Sequence, residues 1–280
     1  MASERLHYAL SFNADYSTIS HQKLSLIASK NSIIRSRELE QVGDTINSHS
    51  EWHYTLKRLS PEERNIAAHL AHTWKWPTRA IFAASGSSNR DNLEIRFPRT
   101  YRKTIIEQAS KKKIDRSWVF SLIRQESAFR KTARSSAGAM GIMQILPNTA
   151  KHIAKKAGQP YQGAQALLNH KYNIDLGTRY LKQLMTKFNN NILVVTAAYN
   201  AGPNRARRWV PEYAMPGDVW VATIPFKETR NYVKNIMAYQ AIYQYHEGLG
   251  IPNISAVLET VGKENVLHVQ NSTVGAHHGS

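Results

Sequence analysis

Residues 123–147, IRQESAFRKTARSSAGAMGIMQILP, put a carboxylate where a carboxylate is poorly solvated. Val119, Leu122, Ile123 and Glu126 stand at i, i+3, i+4 and i+7, so Glu126 continues the apolar stripe of a helix instead of opposing it. Desolvation favours the neutral form of such a group and raises its pKa toward the range useful to a general acid at neutral pH. The spacing also admits a plainer arrangement, in which Glu126 reaches water at the helix end and pairs with Arg130 four residues on. Beyond it, Gly138 and Gly141 bracket Ala139 and Met140 in a loop that runs to Pro147, where backbone can approach a neighbour or a ligand closely. Gln144 sits amid Ile142, Met143, Ile145 and Leu146. A buried amide there needs a partner, either a ligand or the backbone itself.

Other chemistries lack their parts. There are no cysteines, which removes disulfide scaffolds, thiolate zinc sites and cysteine nucleophiles. His49 with His53 and His69 with His72 have helical spacings that suit a metal, but neither pair has a nearby third ligand or an HExxH arrangement, so packed or solvated histidines are expected. His277 and His278 fall in a terminal tail. The loop around Gly138 and Gly141 lacks the glycine-lysine ending of a phosphate loop, and Ser127, Ser135 and Ser136 lack a GxSxG elbow. No cofactor and no metal are expected.

The elements that must carry Glu126 are helices. Ser60, Pro61 and Glu63 form a capping box with proline at the first helical position, opening a helix to about residue 74; Pro77 starts another that Gly86 stops. With helices near 18–28 and 33–46, residues 1–85 read as helix pairs of a solenoid or bundle. Further helices are predicted at 119–128, 148–157, 174–188, 192–200 and 227–245. The third carries Tyr180, Leu181, Leu184, Met185 and Phe188 on one stripe, and the last gathers Tyr232, Ile236, Tyr239 and Tyr243, of which Tyr239 and Tyr243 are assigned to the core. Tyr199 and Asn200 come at a helix C-terminus, just before Gly202 and Pro203.

The 280 residues suit one large or two modest domains, and no apolar run approaches the ~20 residues that cross a bilayer. The polar segment 86–98 is the boundary expected between an N-terminal helical part (1–94) and a second domain (95–270), with residues 271–280 as a tail. Charge follows the same division. Residues 101–280 hold 24 Lys plus Arg against 10 Asp plus Glu, a net of +14, whereas residues 1–100 hold 13 against 10, a net of +3. A field of that sign attracts polyanions, whether nucleic acid or a carboxylate-bearing glycan. The clusters Lys111, Lys112, Lys113 and Arg205, Arg207, Arg208 read mainly as solvated helix faces or ends.

Residues 124–147 closely resemble the catalytic motif of the soluble lytic transglycosylases, and AAYNAGP at 197–203 and IPFKETRNYV at 224–233 resemble that family's two later motifs, in the same order. The resemblance runs over residues 95–245. It implies an all-α protein in which a solenoid-type N-terminal segment, part of a longer superhelix, precedes a lysozyme-like domain. It further implies a periplasmic enzyme of a Gram-negative bacterium, acting on peptidoglycan glycan strands and not on nucleic acid. MASERLHYAL lacks the basic-then-apolar order of an export signal, so such an enzyme would be present here as a mature or shortened form. Glu126 is then the acid that protonates the oxygen between N-acetylmuramic acid and N-acetylglucosamine, and the base that next takes the muramyl C6 hydroxyl proton, giving a 1,6-anhydro end. Ser135, Met143, Gln144, Tyr199 and Asn200 match positions that line the glycan groove, and Glu228 and Tyr232 match the last motif. Ala222 departs from the pattern, where an acidic residue is common before IPF, and offers no charged contact. No Asp or Glu occurs between Glu126 and Asp175, which fits a reaction needing one carboxylate, although a more distant one can fold back. A hydrolytic muramidase and a non-enzymatic basic scaffold are the competing readings.

Overall fold

The computed structural model describes residues 18–89, 91–249 and 259–267, and the tail histidines lie outside them. Among the described residues the structure is helical, with isolated bridges but no sheet. The first part comprises α1 (His21–Ala28), α2 (Asn31–Gln41), α3 (Thr45–Leu56), α4 (Pro61–Thr73) and α5 (Pro77–Ser85). The Ser60–Glu63 capping box forms as expected. The single helix expected over 33–46 is instead two. Gly43 turns left-handed at φ 84° and Asp44 caps α3 by accepting from the Asn47 N–H, so the local turn chemistry overrides a helical pattern that continues through it.

After the short α6 (Leu93–Arg96) come α7 (Arg102–Lys112), α8 (Arg116–Ser127), α9 (Pro147–Lys156), a 3₁₀ turn (Gln165–Leu168), α10 (His170–Lys187), α11 (Ile192–Ala201), α12 (Pro203–Arg208), α13 (Gly217–Thr223), α14 (Lys227–His246) and α15 (Lys263–Val266). α10 begins four residues before the apolar stripe suggests, because Asn169 accepts from the N–H groups of Lys171 and Tyr172 and nucleates the first turn.

Burial separates two apolar clusters. One collects Ile27, Ile33, Trp52, Leu70 and Ile95 with the partly buried Trp74 and Trp76, whose rings meet Trp52 and each other edge-on. The other surrounds α8, whose Trp118, Val119, Phe120, Leu122 and Ile123 are all buried, and it is closed by α14. There Tyr243 is fully buried and Tyr239 partly so, both edge-on to Phe97. The clusters interlock at the segment between them: Ile81 and Leu93 pack into the second, and Ile95 into the first. Thr78 also donates to the Ala128 carbonyl (2.9 Å).

Candidate active site

α8 fixes the site's first coordinate. Asp115 caps its N-terminus, accepting from the Ser117 N–H (2.7 Å), and its other oxygen accepts from Gln240 (2.8 Å) and Gln244 (3.2 Å) of α14. The helix stops at Ser127 because Ala128 and Phe129 both enter the left-handed region, at φ 49° and 66°. For residues with a Cβ that conformation costs roughly 1–2 kcal/mol each, offset by burial of the Phe129 ring, worth about 1.5–3 kcal/mol. The chain thereby turns away after Glu126. Arg130 is carried off the helix, and no ion pair joins the two, so the plain surface-pair arrangement does not form.

Glu126 is half-buried, and its Oε1 accepts a 2.5 Å hydrogen bond from the Tyr232 hydroxyl. Burial pushes the carboxyl up to about 7; the Tyr232 hydrogen bond opposes this, and the negative charge of Glu228 adds to it. Glu228 and Tyr232 stand at i and i+4 in the first turns of α14, Glu228 exposed and Tyr232 buried, so one helix face delivers both groups to the acid. The phenols of Tyr199 and Tyr232 are held well above their ordinary range, first by burial and then by the Glu126 charge, and both stay protonated donors.

The loop that follows is held from several sides. Backbone bridges join Arg134 to Met140 and Met140 to Ile145. The buried Asn173 accepts from the Met143 N–H (2.8 Å) and donates to the carbonyls of Met140 (3.0 Å) and Leu167 (2.9 Å). Gly141, at φ 78°, is the one residue type that fits against it, since a Cβ there would meet Leu167 O at 2.1 Å and Asn173 Nδ2 at 2.4 Å. Ser127 donates to Ile142 O (2.8 Å) and Tyr199 to Met143 O (2.8 Å), while Tyr199 tilts against Tyr180.

Of the residues singled out in the sequence, Glu126, Glu228 and Tyr232 come together, and Tyr199 joins them through the loop. Met143 lies differently from the others: its side chain is fully buried with its sulfur against Gly177, and its backbone accepts from Tyr199 and donates to Asn173. Gln144 resolves toward the backbone alternative, its Nε2 donating to Gly141 O (2.8 Å) and Ala133 O (3.1 Å). Ser135 is exposed and its hydroxyl accepts from the Ala139 N–H (3.0 Å). The Asn200 carbonyl oxygen accepts from Thr229 (2.7 Å), an orientation that directs its NH₂ elsewhere. Ala222 is exposed and adds a methyl group. Asn173 and Thr229 were not singled out, and Ser127 was weighed only as a nucleophile. Asn173 had a readable signal, an amide immediately before Ile174 in an amphipathic helix, whereas Ser127 and Thr229 acquire their partners only on folding. Of the basic clusters, Lys111 pairs with Glu107 (2.6 Å) and Lys112 with Asp175 (2.9 Å), while Arg205, Arg207 and Arg208 are exposed. Among the described residues no group of three or more His, Asp or Glu side chains is placed to hold a metal ion.

Among the described residues one carboxyl is poised near neutrality, bonded by a phenol and backed by a clamped glycine loop, and these are the parts that general acid–base chemistry uses. Comparison with known proteins agrees with that chemistry. Residues 103–217 match the Transglycosylase SLT domain, residues 26–93 the Soluble lytic murein transglycosylase L domain, and residues 223–249 the Soluble lytic transglycosylase helical domain. The soluble lytic murein transglycosylase of Escherichia coli (strain K12) is 39% identical over 217 residues, covering 76% of this chain and 34% of that protein. An inactive glutamate-to-glutamine mutant of the lytic transglycosylase Slt from Pseudomonas aeruginosa superposes with a TM-score of 0.85 at 35% identity, over 95% of this chain and 42% of that one. The 70 kDa soluble lytic transglycosylase from Escherichia coli gives 0.82 at 32% identity, over 92% and 41%. The chain belongs to the soluble lytic transglycosylase family. It spans about a third of the length of the curated relatives it matches.

Proposed function

We propose that this chain is a peptidoglycan lytic transglycosylase in which Glu126 acts first as acid and then as base. The observation that carries the reading is a half-buried Glu126 whose pKa lies near 7, with a 2.5 Å hydrogen bond from Tyr232. Protonated, it gives its proton to the oxygen linking N-acetylmuramic acid to N-acetylglucosamine as the C1–O bond breaks. Ionised, it takes the C6 hydroxyl proton as O6 closes on C1, which leaves a 1,6-anhydro end and restores the acid. No water is consumed. Ser135, Tyr199 and the NH₂ of Asn200 contribute binding groups, and Gln144 supports the loop with its amide nitrogen and offers its carbonyl oxygen to the sugar. The inactivity of a glutamate-to-glutamine mutant in the Pseudomonas aeruginosa relative is in keeping with a single essential glutamate.

The same reading assigns peptidoglycan as the partner and the periplasm of a Gram-negative bacterium as the location; no helix among the described residues is long and apolar enough to cross a membrane. It divides the chain near residues 86–98, a boundary supported by the gap between the matches ending at 93 and beginning at 103. One observation favours a second reading: Glu228 folds back close enough to raise the Glu126 pKa and is a candidate second carboxylate for hydrolysis. Mass analysis of products from purified sacculi separates the two. Anhydro ends are expected; reducing ends would make the protein a hydrolytic muramidase, and no release from an intact, folded sample would leave a binding scaffold.

A further inference from the structure

We propose that the cavity between α3, α5 and the segment leaving α8 is a second binding site, which holds a carboxylate-bearing part of the glycan-peptide chain while another part lies at Glu126. This rests on the reading of the substrate above. The cavity measures about 750 Å³ and is lined by His49, His53, Lys57, Arg58 and Arg130 together with Ser50, Tyr54 and Phe82. No carboxylate contributes to the lining, and among the described residues none of its basic groups lies within 4.0 Å of one. The contrast with Arg79 nearby is informative, because that guanidinium is already bonded to Glu40 (2.6 Å) and Ser48 (2.7 Å). Burial, together with the charges of Arg79 and Arg130, holds His49 down to about 4, so at neutral pH it is a neutral hydrogen-bonding ring. The uncompensated charge therefore belongs to Lys57, Arg58 and Arg130. Three like charges around one cavity repel, and an anion placed among them removes that cost.

The apolar part of the lining suits a sugar face. Tyr54 and Phe82 are 51% and 58% exposed, although burial is the usual state of such rings, and Arg58 lies 3.5 Å over the Tyr54 ring, which fixes it as a platform. Basic groups with aromatic rings also serve single-stranded nucleic acid. What favours the glycan is position. Arg130 follows Glu126 by four residues, so the two backbones are no more than about 14 Å apart, and a polymer engaged at Glu126 passes within reach of the cavity.

The test uses the full chain carrying Glu126→Gln, so that binding is read without turnover. The probes are purified sacculi, sacculi with their carboxyl groups amidated, and a single-stranded oligodeoxynucleotide. The variant Lys57→Glu/Arg58→Glu changes exposed groups at the end of α3; Arg130→Gln is the independent check should the pair disturb that helix. Each is expected to weaken binding to native sacculi, by about tenfold for the double charge reversal and two- to threefold for Arg130→Gln, and to flatten its salt dependence. Amidation should weaken the Glu126→Gln protein as much as the double variant does. With Glu126 restored, turnover of a tetrasaccharide without peptides should stay within twofold of the parent. Unchanged sacculus affinity and salt dependence in both variants, or equal binding of amidated sacculi, overturns the site. An oligodeoxynucleotide that displaces sacculi and loses affinity in the variants assigns it to nucleic acid. If no glycan is cleaved by the unsubstituted protein while these binding differences persist, the reaction is wrong and the site stands.

Discussion

The two ends of the α8–α14 pair each hold a glutamate, and they are built in opposite ways. At one end the Glu247 carboxylate is closed from solvent between the guanidinium groups of Arg102 (3.0 Å) and Arg116 (2.9 Å), beside Asp115 with its two glutamine donors. At the other end Glu126 has a phenol for its partner and another carboxylate, Glu228, for its neighbour. The first arrangement compensates charge and staples the helices; the second leaves it uncompensated, so that a proton is easily held and easily given. A buried carboxylate is costly unless paired, and leaving that cost in place is what tunes an acid.

The largest expected effect tests the poised end. Glu126→Gln should reduce release of glycan product by ~10²-fold or more, since the amide cannot donate the proton, and retention of more than about a tenth of the rate would remove Glu126 from its role. Stability should move the other way. The pKa of Glu126 is raised on folding from 4.5 to about 7, so the protein is favoured below pH 4.5 and loses that advantage as pH rises through 7. Chemical denaturation above pH 7 should find Glu126→Gln more stable by at most about 3 kcal/mol, a difference that vanishes below pH 4.5.

At the stapled end, Glu247→Ala leaves two partly exposed guanidinium groups facing each other. A loss of about 2–4 kcal/mol is expected, with no displacement of the pH–rate profile of whatever protein stays folded. A profile that moved would mean the two ends are coupled.

Smaller and opposite effects should come from the neighbours of Glu126. Tyr232→Phe removes the bond that favours the ionised acid and should carry the alkaline limb of the profile to higher pH, with roughly tenfold lower turnover. Glu228→Gln removes a repelling charge and should carry it to lower pH. If Glu228→Gln abolishes turnover and the parent gives reducing ends, hydrolysis is the better account. Least dramatic is the boundary: residues 95–280 should fold alone and keep weak activity, but without Ile81 and Leu93 they should be less stable than residues 77–280 by about 2–4 kcal/mol. Limited proteolysis of the full chain should cut near residues 87–91. An insoluble 95–280 fragment would show that the interlocked clusters are one core.

Where the signal was local, the sequence was readable. The Ser60 capping box, the stop at Gly86, the break between Ala201 and Pro203 and the stripe ending in Glu126 depend on residues within one or two turns of each other. The split of the 33–46 helix lay in the same reach, in Gly43 followed by Asp44, but periodicity masked it. The burial of Met143 was hidden for a different reason: its neighbours in sequence are those of a loop, while its sulfur packs against Gly177 on another helix.

The amino-acid order alone determined the helical class, the placing of a carboxyl on an apolar face and the sign of the field around it, because each follows from spacing and charge along the chain. Tertiary structure decided the rest of the acid's chemistry. Tyr232 lies 106 residues from Glu126; Glu228 and Arg116 meet their carboxylate neighbours only when α14 packs along α8, and Arg102 reaches Glu247 from α7. A pKa is set by what surrounds a group in space, and no spacing in the sequence distinguishes the glutamate that meets a phenol from the one that meets two guanidinium groups.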